Sequence, residues 1–396
     1  MHRNGHPGPV APSQPVLGLR DGRRRLPHPR QGTGRRRRAR RRRAAGPPAR
    51  ARRALSHRRQ RRDLSDAGGP QGRGRAARPC GHGLKEFPLS HPHEHEAPAV
   101  AAPALACDSH FHVFGPAERY PHGAELRYAP PLAPLADYLA LARLLGIERY
   151  VFVQPSAYGR DNRCMLDAMR EVGDACRGIV DIDENAPDSE LAQLHAQGVR
   201  GVRINVRPIK PYEAGFAPTL LPRIERLAAR CAEIGWHLDF LLPGWLTTEL
   251  MPQLRALRLP FTLAHLGMHL ARDGVEAPGY AELLDLLRHG EGYCRVKLTG
   301  IYRISTAPGF SDVGPMVRAL LEAAPDRLLW GSDYPHLSFA QNSSVALFNK
   351  LAEWVPEAGM RQRILVDNPA ELFGFREERA AAPPQPRRGQ DDRTVP

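Results

Sequence analysis

The sequence predicts an α/β fold, a TIM-like (β/α)₈ barrel preceded by a disordered Arg-rich tail, on three observations. From Ala106 onward, short apolar and β-branched runs alternate with Leu/Ala-rich stretches of helical period. Eight such runs over roughly 270 residues is the arithmetic of a closed (β/α)₈ barrel. Asp108–Pro116, where the first run ends, holds no Gly-rich phosphate loop of the kind that opens a doubly wound sheet.

The tail comes first. Between Met1 and Lys85 there is no Phe, Tyr, Trp or Ile, and Arg, Gly, Pro and Ala dominate. Such a segment cannot bury enough apolar surface to offset its ordering entropy, so residues 1–95 are expected to be disordered. A nucleic-acid arm would interleave aromatic residues for stacking, and a transit peptide would form an amphipathic helix that these prolines and glycines forbid. Arg, Pro, Gly and Ala are also what GC-rich DNA yields in almost any frame, and the composition favours a start of translation further downstream. The chain carries a net charge of +15, but 25 of its 57 basic and 6 of its 42 acidic residues fall in the first hundred. The remainder holds 32 basic against 36 acidic residues, so the body is mildly acidic and the overall sign says nothing about its partners.

Within the body, strands are expected at Cys107–Phe114, Tyr150–Gln154, Gly178–Ile182, Gly201–Val206, His237–Leu242, Phe261–His265, Cys294–Leu298 and Leu328–Gly331. Near-continuous apolar strands suit a parallel sheet buried on both faces. Helical period marks Leu135–Leu145, Ser189–Ala196, Leu220–Ile234, Tyr280–Arg288 and Val313–Ala324. Asp-Asn-Pro at 367–369 predicts a last short helix, Ala370–Phe373, with Asn368 as its cap and Pro369 at its first position. The barrel is thus expected over 106–375, with a second disordered tail over 376–396. The six cysteines show no CxxC or zinc-finger spacing, and the five in the body, Cys107, Cys164, Cys176, Cys231 and Cys294, read as small buried residues of a reducing cytoplasm. No apolar run reaches the ~18–20 residues of a membrane span.

Chemistry in such a barrel sits at the C-terminal ends of the strands. The first strand ends Asp108-Ser-His110-Phe-His112, and alternation puts both histidines on one face. Arg203 lies inside the fourth strand, where a charge needs an anionic partner, either a structural carboxylate or the substrate. His265 ends the sixth strand before a Gly turn, and the eighth runs into Gly331-Ser-Asp333-Tyr-Pro-His336. Four ionisable groups, His110, His112, His265 and Asp333, are therefore expected at one mouth.

These motifs, with Asp-Asn-Pro-Ala-Glu-Leu-Phe near the end and Val-Arg-Gly-Val-Arg-Ile-Asn at 199–205, resemble the amidohydrolase superfamily, in particular the branch that includes 2-pyrone-4,6-dicarboxylate lactonase. The resemblance implies hydrolysis of a small anionic lactone by a water that Asp333 activates as general base, with His110, His112 and His265 stabilising the oxyanion. It further implies that Arg203, Arg207 and Arg303 hold substrate carboxylates, with Tyr128, Ser156 and His336 as polar contacts. No cofactor is expected. Metal-dependent members use a further His after the fifth strand or a Lys after the fourth, whereas here the fifth ends Phe240-Leu241-Leu242 and His237 lies at its wrong end. Should a metal bind, one divalent ion, zinc foremost, is expected at His110, His112, His265 and Asp333. The branch also implies a tyrosine near Leu241 and an arginine near Met268; both are missing, so the dicarboxylated pyrone is not fixed as substrate. Rival readings are a metal-dependent decarboxylase or hydratase acting on an aromatic acid, nucleic-acid binding through the tail, and a barrel that only binds.

Because residues 1–93 supply no core, a chain beginning at Glu94 is expected to match the full chain in thermal stability and turnover. A large fall in either on truncation would show that the arm docks on the barrel.

Overall fold

The apolar runs become eight parallel strands, hydrogen-bonded in chain order around a barrel wall. In the computed structural model, the described residues are 96–375 except 124–127, 129 and 207–211. The expectations for residues 1–95 and 376–396, and for Arg207, lie outside them. The strands are β1 Cys107–Phe111, β2 Arg149–Val153, β3 Cys176–Val180, β4 Val199–Asn205, β5 His237–Leu241, β6 Phe261–Leu263, β7 Cys294–Leu298 and β8 Leu328–Trp330. Helices α1 Leu135–Leu145, α2 Arg163–Val172, α3 Asp188–Ala196 and α4 Ala217–Glu233 follow the first four strands. Two short helices, α5 Gly244–Glu249 and α6 Met251–Ala256, follow β5. Helices α7 Pro278–His289, α8 Val313–Ala323 and α9 Ser344–Trp354 follow β6, β7 and β8. The expected (β/α)₈ barrel is the fold. Among the described residues no helix is long and apolar enough to cross a membrane.

Strands β1 and β6 end two or more residues before the expected positions, for local reasons. In β1 the register slips between Asp108 and Phe111. Both side chains turn toward α1, where the Tyr138 hydroxyl donates to Asp108 Oδ2 at 3.1 Å and its ring stacks on Phe111 at 3.6 Å. In β6 pairing stops at Leu263 because the chain enters left-handed backbone at His265, Leu266, Gly267 and Met268.

The barrel closes where β1 meets the end of β8. Asp333 N donates to His110 O at 2.8 Å, and His112 N donates to Tyr334 O at 2.9 Å. Asp108 Oδ1 accepts from the amides of both His110 and Ser332 at 3.0 Å, so one carboxylate oxygen bridges the two chain segments. Gly331 allows this approach: a Cβ there would lie 2.7 Å from the Cβ of His110.

The opposite end is plugged by the last helical run among the described residues, α10 Ala358–Gln362, a π-helical turn Arg363–Asp367 and α11 Asn368–Phe373. Asn368 does not cap α11, contrary to expectation, because the preceding residues are already helical. Its side-chain amide donates instead to the carbonyls of Pro325 and Leu328, tethering the run beneath β8. Phe373 packs on His237 at the start of β5, and Phe375 lies under Arg149 and Arg177 at the starts of β2 and β3.

Replacing Gly331 with Ala is expected to wedge the β1–β8 seam open and cost about 1–3 kcal/mol in denaturant unfolding. Gly359→Ala, in α10 with open space around it, should be neutral or slightly stabilising.

Candidate active site

His110 and His112, at the C-terminal end of β1, point to the same side, their rings edge to face with centroids 5.2 Å apart. Asp333 faces them from the turn after β8, whose left-handed backbone (φ 58°) aims the carboxylate inward. Its Oδ1 lies 3.7 Å from His110 Nε2 and 3.6 Å from His112 Nε2, too far for direct hydrogen bonds. Its Oδ2 accepts from the Tyr302 hydroxyl at 2.6 Å and from Arg303 Nε at 2.8 Å. His265 completes the group, with its ring centroid 5.2 Å from that of His110. Gly300 makes room for it, since a Cβ there would lie 2.4 Å from His265 Nδ1. The four expected groups therefore meet, all of them buried.

The remaining expected residues are placed differently. Arg203 is buried in β4, donates to the carbonyl of Gln154 at 2.7 Å and lies 3.7 Å from Asp239 Oδ2, so a structural carboxylate stands beside it. Arg303 is engaged with Asp333. His336 is held between Ser344, whose hydroxyl lies 2.8 Å from Nε2, and the Tyr302 hydroxyl, 3.1 Å from Nδ1. Tyr128 and Ser156 are brought together, hydroxyl to hydroxyl at 3.2 Å. Asp108 belongs to the seam described above and sends no oxygen into the site.

Three residues escaped the sequence reading: Asp239 in β5, Lys297 in β7 and Tyr302. Lys297 and Asp239 are fully buried and paired at 2.7 Å, and Lys297 Nζ lies 3.5 Å from His110 Nδ1. The signal was present, because a charge inside His-Leu-Asp-Phe-Leu or Cys-Arg-Val-Lys-Leu is as anomalous as Arg203 inside β4. Tyr302 carried no such signal, being one apolar-bodied residue in a loop.

Three cationic side chains, Arg203, Lys297 and Arg303, bear on this mouth. Burial opposes the charge on Asp333, yet Arg303 first, then His265, His112 and His110, hold its carboxyl well below the usual range. Burial, then the positive charges of Lys297 and Arg203, keep His110 well below the ordinary imidazole value. Burial likewise lowers His112 against the pull of Asp333. Asp239 overcomes its burial through Lys297 and Arg203 and stays ionised. Arg203 and Lys297 pair with Asp239 and Arg303 pairs with Asp333, while Asp108 also acts on Lys297 and Asp181 on Arg203.

Among the described residues, His110, His112 and Asp333 form the one group whose ligand atoms converge, all within 4.8 Å. Two of these atoms, His110 Nε2 and Asp333 Oδ1, are buried without a hydrogen-bond partner. This donor set could hold one divalent ion, zinc foremost, which would supply Lewis-acid polarisation of a bound oxygen.

Arg303→Gln tests the pairing, since it leaves a buried carboxylate without its main counter-charge. A loss of about 3–5 kcal/mol at neutral pH is expected in denaturant melts. In the wild type the depressed pKa stabilises the fold above the unfolded value, and that contribution fades as pH falls through the folded one. In the variant the carboxyl rises above its unfolded value, so the deficit should shrink as the pH is lowered. A deficit that does not vary with pH would place the role of Arg303 elsewhere.

A family model described as Amidohydrolase matches residues 107–375. The chain is 36% identical over 293 residues to a 4-sulfomuconolactone hydrolase of Rhizobium radiobacter, an alignment covering 72% of this chain and 96% of that one. It is 34% identical to a 2-pyrone-4,6-dicarboxylate hydrolase of Comamonas testosteroni, covering 70% of this chain and 92% of that protein. A crystal structure of a probable 2-pyrone-4,6-dicarboxylic acid hydrolase from Acinetobacter baumannii, with citric acid bound, aligns with TM-score 0.62 at 26% identity over 68% of this chain and all of that one. A solved structure from Pseudomonas putida aligns with TM-score 0.62 at 34% identity, covering 69% of this chain and 99% of that one. With its barrel, its His-x-His strand end and its strand-8 aspartate in place, the chain belongs to the amidohydrolase family.

Proposed function

We propose that this hydrolase opens a small lactone bearing one or more acidic groups, by attack of a water that Asp333 activates, without need of a metal. One observation carries the reading: a single buried carboxylate, anchored through Oδ2 by Tyr302 and Arg303, turns Oδ1 toward two imidazoles. The names of the relatives agree in substrate chemistry, since sulfomuconolactone and pyrone dicarboxylate are both lactones with acidic substituents.

The geometry supports this chemistry. His112 Nδ1 lies 2.7 Å from the carbonyl of Val153, so it carries the proton and donates, leaving Nε2 as an acceptor. A water between His112 Nε2 and Asp333 Oδ1 can donate to both. Asp333 takes one proton as the water oxygen bonds to the lactone carbonyl carbon, and His110 and His265 stand where negative charge grows on the carbonyl oxygen. The ring carbon–oxygen bond then breaks and the leaving oxygen takes the proton back from Asp333, so water is consumed and an acid and a hydroxyl are formed. In the free enzyme Arg303 keeps Asp333 ionised but weakly basic. An anionic substrate alongside adds negative charge and strengthens the base when it is needed.

The absence of a metal requirement rests on charge. An ion of charge +2 at His110, His112 and Asp333 would lie beside the cations Arg303 and Lys297 and be repelled by both, whereas an acidic substrate is attracted. Convergence of the same three donors favours the second reading, a metal-dependent hydrolase or decarboxylase. Tyr128 and Ser156 are proposed as outer polar contacts, and Arg203 as a contact shared between Asp239 and the substrate.

A panel of carboxylated and sulfonated lactones, assayed with and without chelator, decides between these readings. Turnover insensitive to chelator is expected, and Asp333→Asn should lower kcat about 10²–10⁴-fold with folding intact. Activity abolished by chelator and restored by zinc would reverse the assignment.

A further inference from the structure

The imidazole of His110 has two faces of unlike chemistry. Nε2 turns to Asp333 Oδ1 and the reacting centre, while Nδ1 turns to the ammonium of Lys297 at 3.5 Å. That ammonium is seated by Asp239 Oδ1 at 2.7 Å, and the same oxygen accepts from the Thr262 hydroxyl at 2.6 Å. Asp239 Oδ2 in turn lies near Arg203. Thus β4, β5, β6 and β7 together hold one cation against the back of one histidine. An ammonium has three donors and no lone pair, so any atom that faces it must accept.

We infer that Lys297 is a positioning residue that fixes His110 as the Nε2–H tautomer, so that His110 presents a hydrogen-bond donor to the reacting centre. His112 has the opposite tautomer, because Val153 O takes its Nδ1–H. Two histidines that the sequence presents as equivalent therefore divide the work. His112 Nε2 accepts from the attacking water, and His110 Nε2–H donates to the oxygen on which charge develops. A corollary bears on metals. Ligation through His110 Nε2 would need its lone pair there and its proton on Nδ1, pointed at the ammonium, so Lys297 opposes an ion at this histidine. Neither Lys297 nor Asp239 touches substrate in this scheme. Each acts through its neighbour, as the buried partner of a catalytic histidine does elsewhere.

Nitrogen-15 NMR of histidine-labelled protein tests this, with His110 identified among the 17 histidines by its loss in His110→Gln. The wild type is expected to show a protonated Nε2 and a bare Nδ1 at His110. In Lys297→Met the pattern should reverse or average, and kcat for a lactone that the panel shows to be turned over should fall about 10²-fold with KM little changed. Should Lys297→Met fail to fold, the charge-balanced pair Lys297→Met with Asp239→Asn takes its place. A wild-type His110 protonated at Nδ1, or a variant that keeps the Nε2–H pattern, overturns the proposal. The kinetic arm rests on the hydrolytic reading above and the spectroscopic arm does not. A reversed tautomer with unchanged kcat would therefore uphold the role of Lys297 in setting the tautomer and overturn the hydrolytic role of His110.

Discussion

A barrel of parallel strands has one seam that chain order cannot close, and here a single carboxylate helps to close it. Asp108 takes the amides of His110 and Ser332 on one oxygen and the Tyr138 hydroxyl on the other. The residues flanking these amides are the chemical ones: two histidines follow Asp108 and Asp333 follows Ser332. Closing the wall and assembling the site are the same event. Gly331 is its steric condition, because any side chain there would meet β1.

Behind the seam lies a buried set of charges, each paid for by a neighbour. Lys297 and Arg203 stabilise Asp239, and Arg303 stabilises Asp333. Such pairs are seldom net stabilising, because desolvation consumes most of the Coulomb gain. Their value lies in direction. Tyr302 passes along a hydrogen-bonded line: Ser344 donates to His336 Nε2, His336 Nδ1–H to Tyr302, and Tyr302 to Asp333 Oδ2. This chain fixes the carboxylate in one orientation and leaves the other oxygen for the reaction.

The two ends of the barrel divide stability from chemistry. At the N-terminal end, Phe373 and Phe375 plug the interior against strand-start residues, and Asn368 ties the plug to β8. At the C-terminal end, left-handed residues at His265, Asp333 and His336 give the chain sharp exits from β6 and β8. Such conformations cost free energy in a non-glycine residue and persist where surrounding structure holds them.

By itself the sequence determined the barrel, its strand order and the four groups at its mouth. These follow from local period and from which residue types end a buried strand, and neither depends on distant parts of the chain. Only the tertiary structure decided what each charge faces. Arg203 meets Asp239, Arg303 meets Asp333, and Lys297 meets both Asp239 and His110, pairings between segments that lie from 30 to 187 residues apart in the chain. Asn368 shows the same division: its sequence context predicts a cap, and the packing of the plug makes it a tether. A side chain's type is a local property, whereas its protonation, tautomer and partner are set by the field of everything folded around it.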